Sequence, residues 1–149
     1  MKRTPLDDVF SFLVRERADW TCERCFNTFP EGDRQGLHCS HFFSRSIPIL
    51  RVHPLNASAH CMGCHSYLGG RPLEHVEWFK AAHGALALDD LRRMSLIIPR
   101  FRKQDRADML QFYRSEKRRL LKLRDEGHTG RLEFDCAPVI ERALLKVAA

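Results

Sequence analysis

No stretch of this chain approaches the 18 or more consecutive apolar residues of a membrane-spanning helix. The amino terminus also lacks the apolar core of a signal peptide, because Asp7, Asp8, Arg15 and Glu16 interrupt the segment that follows Lys2 and Arg3. There is no internal repeat and no low-complexity tract, so solenoid and linker-like architectures are excluded. These absences predict a soluble cytoplasmic protein with no membrane partner. At 149 residues the chain has the length of one ordinary domain, a compact core with a helical extension. Its 25 Lys and Arg against 19 Asp and Glu give a net charge of +6. That balance suits a polyanionic partner better than an acidic protein or a small apolar ligand.

Six cysteines are present, and four form two C-x-x-C pairs, Cys22–Cys25 and Cys61–Cys64. In a chain without an export signal, paired cysteines point to metal rather than to disulfides. A C-x-x-C turn offers two thiolates from one tight loop, and two such turns supply the tetrahedral S4 set of structural Zn²⁺. The metal would close a loop of 35 residues, longer than a usual zinc ribbon, so the insert should carry structure of its own. Cys39 and Cys136 are left as free, buried thiols.

Local signals outline the rest. Thr4-Pro5-Leu6-Asp7 is an N-cap, a helix-opening proline and an acid in the first turn, which predicts a helix over 5–17. The first knuckle occupies 20–29, Pro30–Asp33 is a turn, and Gln35–Arg45 is the first strand of a hairpin. Further helices are predicted over 72–84, 89–98, 105–126 and 137–147. The fold class is therefore α+β. Its segments are an N-terminal helix (1–19), a zinc-bound core (20–84) and a basic helical extension (85–149) for DNA binding or dimerisation. From Arg92 to Arg124 there are twelve Lys or Arg and three Asp or Glu. Such density is commonly just a solvated face, but in a chain of this charge it would also suit the phosphates of a nucleic acid.

Between and beside the cysteine pairs stand His41, Asn56 and His65. A histidine can take a proton from water near neutral pH, and a neighbouring divalent metal can grip the scissile phosphate. An asparagine amide can orient the imidazole, and His65 can ligate the ion. The bland alternatives are a satisfied core histidine for His41, a turn or N-cap for Asn56 and a helix cap for His65. His53, His60, His75 and His83 are better read as structural or surface residues, and Trp78 and Phe79 as core.

These residues, in this order, resemble the HNH endonucleases, whose ββα-metal finger carries the base on the first strand and a metal ligand on the helix. Within that group, His38-Cys39-Ser40-His41-Phe42, Arg51, Asn56, His60-Cys61-Met62-Gly63-Cys64 and Gly69-Gly70 are similar to the phage recombination proteins NinG or Rap. The paired cysteines with a histidine between them also resemble phage endonuclease VII. The resemblance spans about residues 20–84. It implies a phage or bacterial endonuclease selective for branched DNA such as Holliday junctions, acting as a homodimer on symmetry-related strands. In these terms His41 is the general base and Asn56 its orienting residue, with structural zinc on Cys22, Cys25, Cys61 and Cys64. A catalytic Mg²⁺ or Mn²⁺ would be held by His65 with His38 or Ser40. Ser40 departs from the pattern, since many HNH enzymes place an acid or histidine there, and His65 stands where NinG and endonuclease VII have Asn. Arg45, Arg51, Arg114, Lys117, Arg118 and Lys122 are the expected nucleic-acid contacts. The alternatives are a zinc-containing DNA-binding module without catalysis and a zinc-stabilised protein adaptor.

Overall fold

A computed structural model describes residues 1–148, so the final residue of the 85–149 segment lies outside it. Helix α1, Pro5–Arg17, begins with a capping box: the Asp7 backbone N–H donates to Thr4 Oγ1 at 3.4 Å, and the Thr4 N–H donates to the Asp7 carboxylate at 2.8 Å. Its apolar positions Phe10, Leu13 and Val14 are almost wholly buried. Strands β1 (Leu37–His41) and β2 (Ala57–Cys61) then pair antiparallel, with Leu37 opposite Cys61 and His41 opposite Ala57. Helix α2 (Met62–Gly69) follows directly and is capped by the Cys61 side chain. After it come α3 (Pro72–His83), α4 (Ala85–Ser95), α5 (Lys103–Asp125) and α6 (Pro138–Ala148). The α+β class is thus as expected, and no helix is long and apolar enough to cross a membrane.

A hairpin of two five-residue strands is marginal in water by itself, and here each of its faces is covered. Alternation along β1 puts Leu37, Cys39 and His41 on one face and His38 and Ser40 on the other. Helix α1 backs the first face, where the buried Arg15 donates from Nε to the Leu37 carbonyl at 2.6 Å. On the second face His60 of β2, fully buried, meets Trp78 of α3 edge-on at 4.5 Å. Helix α5 lies along α1. The pair is locked by Glu16, almost fully buried, which accepts from Trp20 Nε1 and Arg124 Nε at 2.8 Å each. One cluster of buried side chains runs from Val9 through Leu37, Phe79 and Tyr113 to Ile140, so all three sequence segments share a core.

Three boundaries differ from expectation for identifiable reasons. The first strand ends at His41 rather than Arg45, because the Asn56 side chain takes both the N–H and the carbonyl of Phe43, at 2.9 Å each, in place of a strand partner. The fourth helix starts at Ala85, not Asp89: Gly84 at φ +91° breaks the chain, and Ala85-Leu86-Ala87-Leu88 are strong helix formers that resume at once. It ends at Ser95, where the Leu96 and Ile97 N–H groups turn back onto Arg93 and Met94.

Candidate metal centre and active site

The Cys22–Cys25 turn is shaped by backbone bonds: Cys22 N–H reaches the Asn27 carbonyl, and Phe26, at φ +64°, returns its N–H to the Cys22 carbonyl, both at 2.9 Å. Glu23 docks this knuckle onto β2, donating its N–H to the Ala59 carbonyl at 2.8 Å and accepting the Ala59 N–H on its carboxylate. Cys61 and Cys64 arrive from the end of β2 and the first turn of α2. The four sulfurs lie within 4.8 Å of one another, and Cys25 and Cys61 are 3.7 Å apart. A tetrahedron with Zn–S bonds of about 2.3 Å has sulfur–sulfur edges of about 3.8 Å, so the donor set fits zinc in number, softness and spacing. The Arg24 guanidinium, stacked 4.4 Å over Tyr67, donates to Cys64 Sγ at 3.4 Å and offsets thiolate charge.

His41 closes β1 and faces a pocket of about 320 Å³ between the hairpin and α1. Its Nε2 lies 2.9 Å from the Arg51 carbonyl. A carbonyl only accepts, so Nε2 carries the proton and Nδ1 keeps its lone pair. Burial lowers the His41 pKa below the ordinary 6.5 and so favours the neutral ring; the Arg45 charge adds to this, while the Arg51 carbonyl and the Asp7 carboxylate partly oppose it. Arg3, Arg45 and His65 line the same pocket together with Asp7, whose carboxylate is paired with Arg51, so Arg3 and Arg45 are the cations there that an anion would meet. Cys39 lines it as well, but burial pushes that thiol up to about 11, so it stays protonated. Cys136 is likewise free, its thiol pushed up to about 12 by burial.

Asn56 does not touch His41. Almost fully buried, it donates to the Phe43 and Leu50 carbonyls and accepts from the Phe43 N–H, which pins both ends of the loop between the strands. Among the described residues its side chain makes no hydrogen bond to His41. Arg51, expected on nucleic acid, is instead spent on Asp7 of α1, with Nε to Oδ1 at 2.8 Å and Nη2 to Oδ2 at 2.6 Å. Three further anchors hold the same loop. Arg17 of α1, almost fully buried, donates to the Pro54 and Ala57 carbonyls, and Tyr113 of α5 donates to the Val52 carbonyl at 2.6 Å. Sequence reasoning missed Asp7, Arg17 and Tyr113; the only local signal was Asp7 at the capping-box position, which names no distant partner.

The remaining candidates separate into groups. His38 and His65 face each other with ring centroids 5.1 Å apart. His38 Nε2 donates to the Gln35 carbonyl at 2.9 Å, which leaves Nδ1 free to ligate, and among the described residues the buried His65 Nδ1 has no partner. Ser40 shares the strand face of His38 and is nearly inaccessible. Arg45 lies at the His41 pocket, whereas Arg114, Arg118 and Lys122 are exposed on α5 and Lys117 is half-buried there. Of the other histidines, His53 caps the short 3₁₀ turn Pro54–Asn56, and His75 and His83 pack on Phe42 and Phe79. Compared with family models, curated proteins and solved structures, the chain matches none.

Two outcomes follow from this geometry. Native mass spectrometry should find one zinc per chain, lost in Cys25→Ser and on chelation together with a large fall in Tm; full stability without metal would contradict the four-thiol site. Burial alone would raise the Asp7 pKa, but Arg51 and Thr4 outweigh it and hold the carboxyl at about 2, below its ordinary 3.8. A depressed carboxyl contributes stability that is complete above pH 4 and is lost as the pH falls toward 2. Asp7→Asn should cost about 2 kcal/mol at pH 7 and little at pH 2, as read by urea denaturation at the two pH values; equal losses at both would show that the ion pair adds nothing.

Proposed function

We propose that this protein is a metal-dependent DNA endonuclease of the HNH type, hydrolysing phosphodiester bonds with His41 as general base. The observation that carries this reading is the fixed tautomer of His41: a histidine with Nε2–H held by the Arg51 carbonyl and Nδ1 free, opening on a pocket with Arg3 and Arg45. In this account His41 accepts a proton from the attacking water at Nδ1. The loop anchored by Asn56 and by the Asp7–Arg51 pair keeps the imidazole aimed, and Arg45 with Arg3 seats the scissile phosphate. A divalent ion bound at His65 and His38 would neutralise charge on the departing oxygen. Two imidazoles suit Mn²⁺ or Zn²⁺ better than Mg²⁺, since Asp7, the carboxylate lining the His41 pocket, is already occupied by Arg51. Selectivity for branched DNA and a homodimer able to make paired cuts rest on the resemblance to NinG or Rap and endonuclease VII.

A second reading keeps the zinc core and basic helices as a DNA-binding module without catalysis, and what favours it is the buried Ser40 where an acidic ligand would serve Mg²⁺. Cleavage of a four-way junction and a matched linear duplex, with Mg²⁺ or Mn²⁺, distinguishes the two. The endonuclease account expects cleavage with the wild type and at least a roughly 100-fold slower rate in His41→Ala with binding intact. Tight binding without cleavage by either protein would leave the module.

A further inference from the structure

Helix α1 has a second pocket on its other flank, about 380 Å³ in volume, between α1, α5 and the turn after the first knuckle. Four cations converge on it from three separate elements: Arg15 of α1, Arg34 of the turn, and Arg114 and Lys117 of α5. Arg15 is 4% exposed; its Nε and Nη1 are held by the Leu37 and Ser11 carbonyls, and among the described residues its Nη2 has no hydrogen bond. Lys117 is placed by its ammonium group, 4.2 Å over the Phe12 ring. The one carboxylate at the rim, Asp8, is already shared between Arg3 at 2.9 Å and Arg34 at 3.5 Å. Among the described residues, Arg15, Arg114 and Lys117 have no acidic partner. Arg34 and Arg114 are exposed and Lys117 is half-buried, but all three line one concavity around the buried Arg15 guanidinium rather than spreading along a face. Such an arrangement costs self-repulsion unless an anion completes it.

We propose that this pocket is a second phosphate seat, which grips the backbone of the bound nucleic acid at a phosphate other than the one at His41. The inference rests on the DNA-binding half of the proposed function and not on its chemistry. The two pockets take different sides of the same helix, Phe10 and Ser11 lining one and Phe12 and Arg15 the other. A helix with its side chains is about 10–12 Å across, so the two seats are on the order of 10 Å apart. The charge spacing of about 3.4 Å per strand is a rise along the duplex axis, and the winding of the backbone adds to it, so that span corresponds to about one to two phosphate steps. Arg3 and Arg34, bridged by Asp8, form a cationic link across the ridge between them. One strand held at both seats would be fixed in register as well as in place, which a single phosphate contact cannot do.

The test uses full-length His41→Ala protein, so that DNA stays intact, and a duplex of about 20 base pairs titrated at several salt concentrations. Adding Arg114→Ala and Lys117→Ala should weaken binding about tenfold at low salt and reduce the slope of log K against log[salt] by about 2. Arg92→Ala with Arg93→Ala removes the same charge from α4, outside the pocket, and should change the affinity less than about twofold. In parallel, inorganic phosphate is titrated into ¹⁵N-arginine-labelled protein. The Arg15 Nε resonance should shift and saturate in the parent and stay still in the Arg114→Ala, Lys117→Ala variant. Equal losses in the two double variants, or an Arg15 resonance indifferent to phosphate, would overturn the seat. If both arms succeed and the wild type cuts nothing, the endonuclease account fails and the seat stands.

Discussion

The ends of the hairpin are placed by the convergence of four cysteine sulfurs from two turns 35 residues apart. A two-stranded hairpin of this length has too little area to hold itself together, and the knuckle at Cys22–Cys25 meets β2 through only one backbone bond and one carboxylate. Closing the thiol set joins the knuckle, β2 and the start of α2 into one unit. That unit sets the ends of the hairpin, and with them His41 and His65. The sulfur spacing matches what a tetrahedral ion requires, so the binding free energy of such an ion would become folding free energy for this part of the chain.

The loop between the strands is held by a different device. Its anchors come from both ends of the molecule: Asp7 and Arg17 from α1, Tyr113 from α5, and Asn56 from the loop's own exit. Most of these bonds end on loop carbonyls, so a buried irregular segment satisfies its backbone without a sheet. One carbonyl, that of Arg51, is left pointing at His41. The basic extension therefore buttresses the candidate site as well as adding charge, and the same two helices, α1 and α5, frame the second cationic pocket.

Much of this was legible beforehand where the signal is local. Thr4-Pro5-Leu6-Asp7 announced α1, Gly84 and Gly127 marked helix ends, and the two C-x-x-C pairs announced a thiol cluster. The end of β1 was not legible, because a side chain fifteen residues beyond His41 replaces the missing strand partner. Nor was the fate of Arg51: residue type gives charge, but only the fold shows that Asp7, 44 residues away, has claimed it. Asn56 was expected to orient the His41 ring, and its side chain bonds the loop at Phe43 and Leu50 instead. Arg15 counted only as a break in an apolar segment and Arg34 not at all, since isolated basic residues in a helix and a turn carry no pattern until α5 brings Arg114 and Lys117 beside them.

The central claim is that this frame exists to hold the His41 imidazole as a base against a phosphodiester. Chemical rescue addresses it most directly: DNA cleavage by zinc-loaded His41→Gly protein is measured as free imidazole is added in the presence of Mn²⁺. The account predicts very slow cleavage without imidazole and a saturable recovery with it, because the space left by the ring stays walled by the anchored loop. Cleavage at the wild-type rate without imidazole, or an active wild type whose variant imidazole cannot restore, would contradict it.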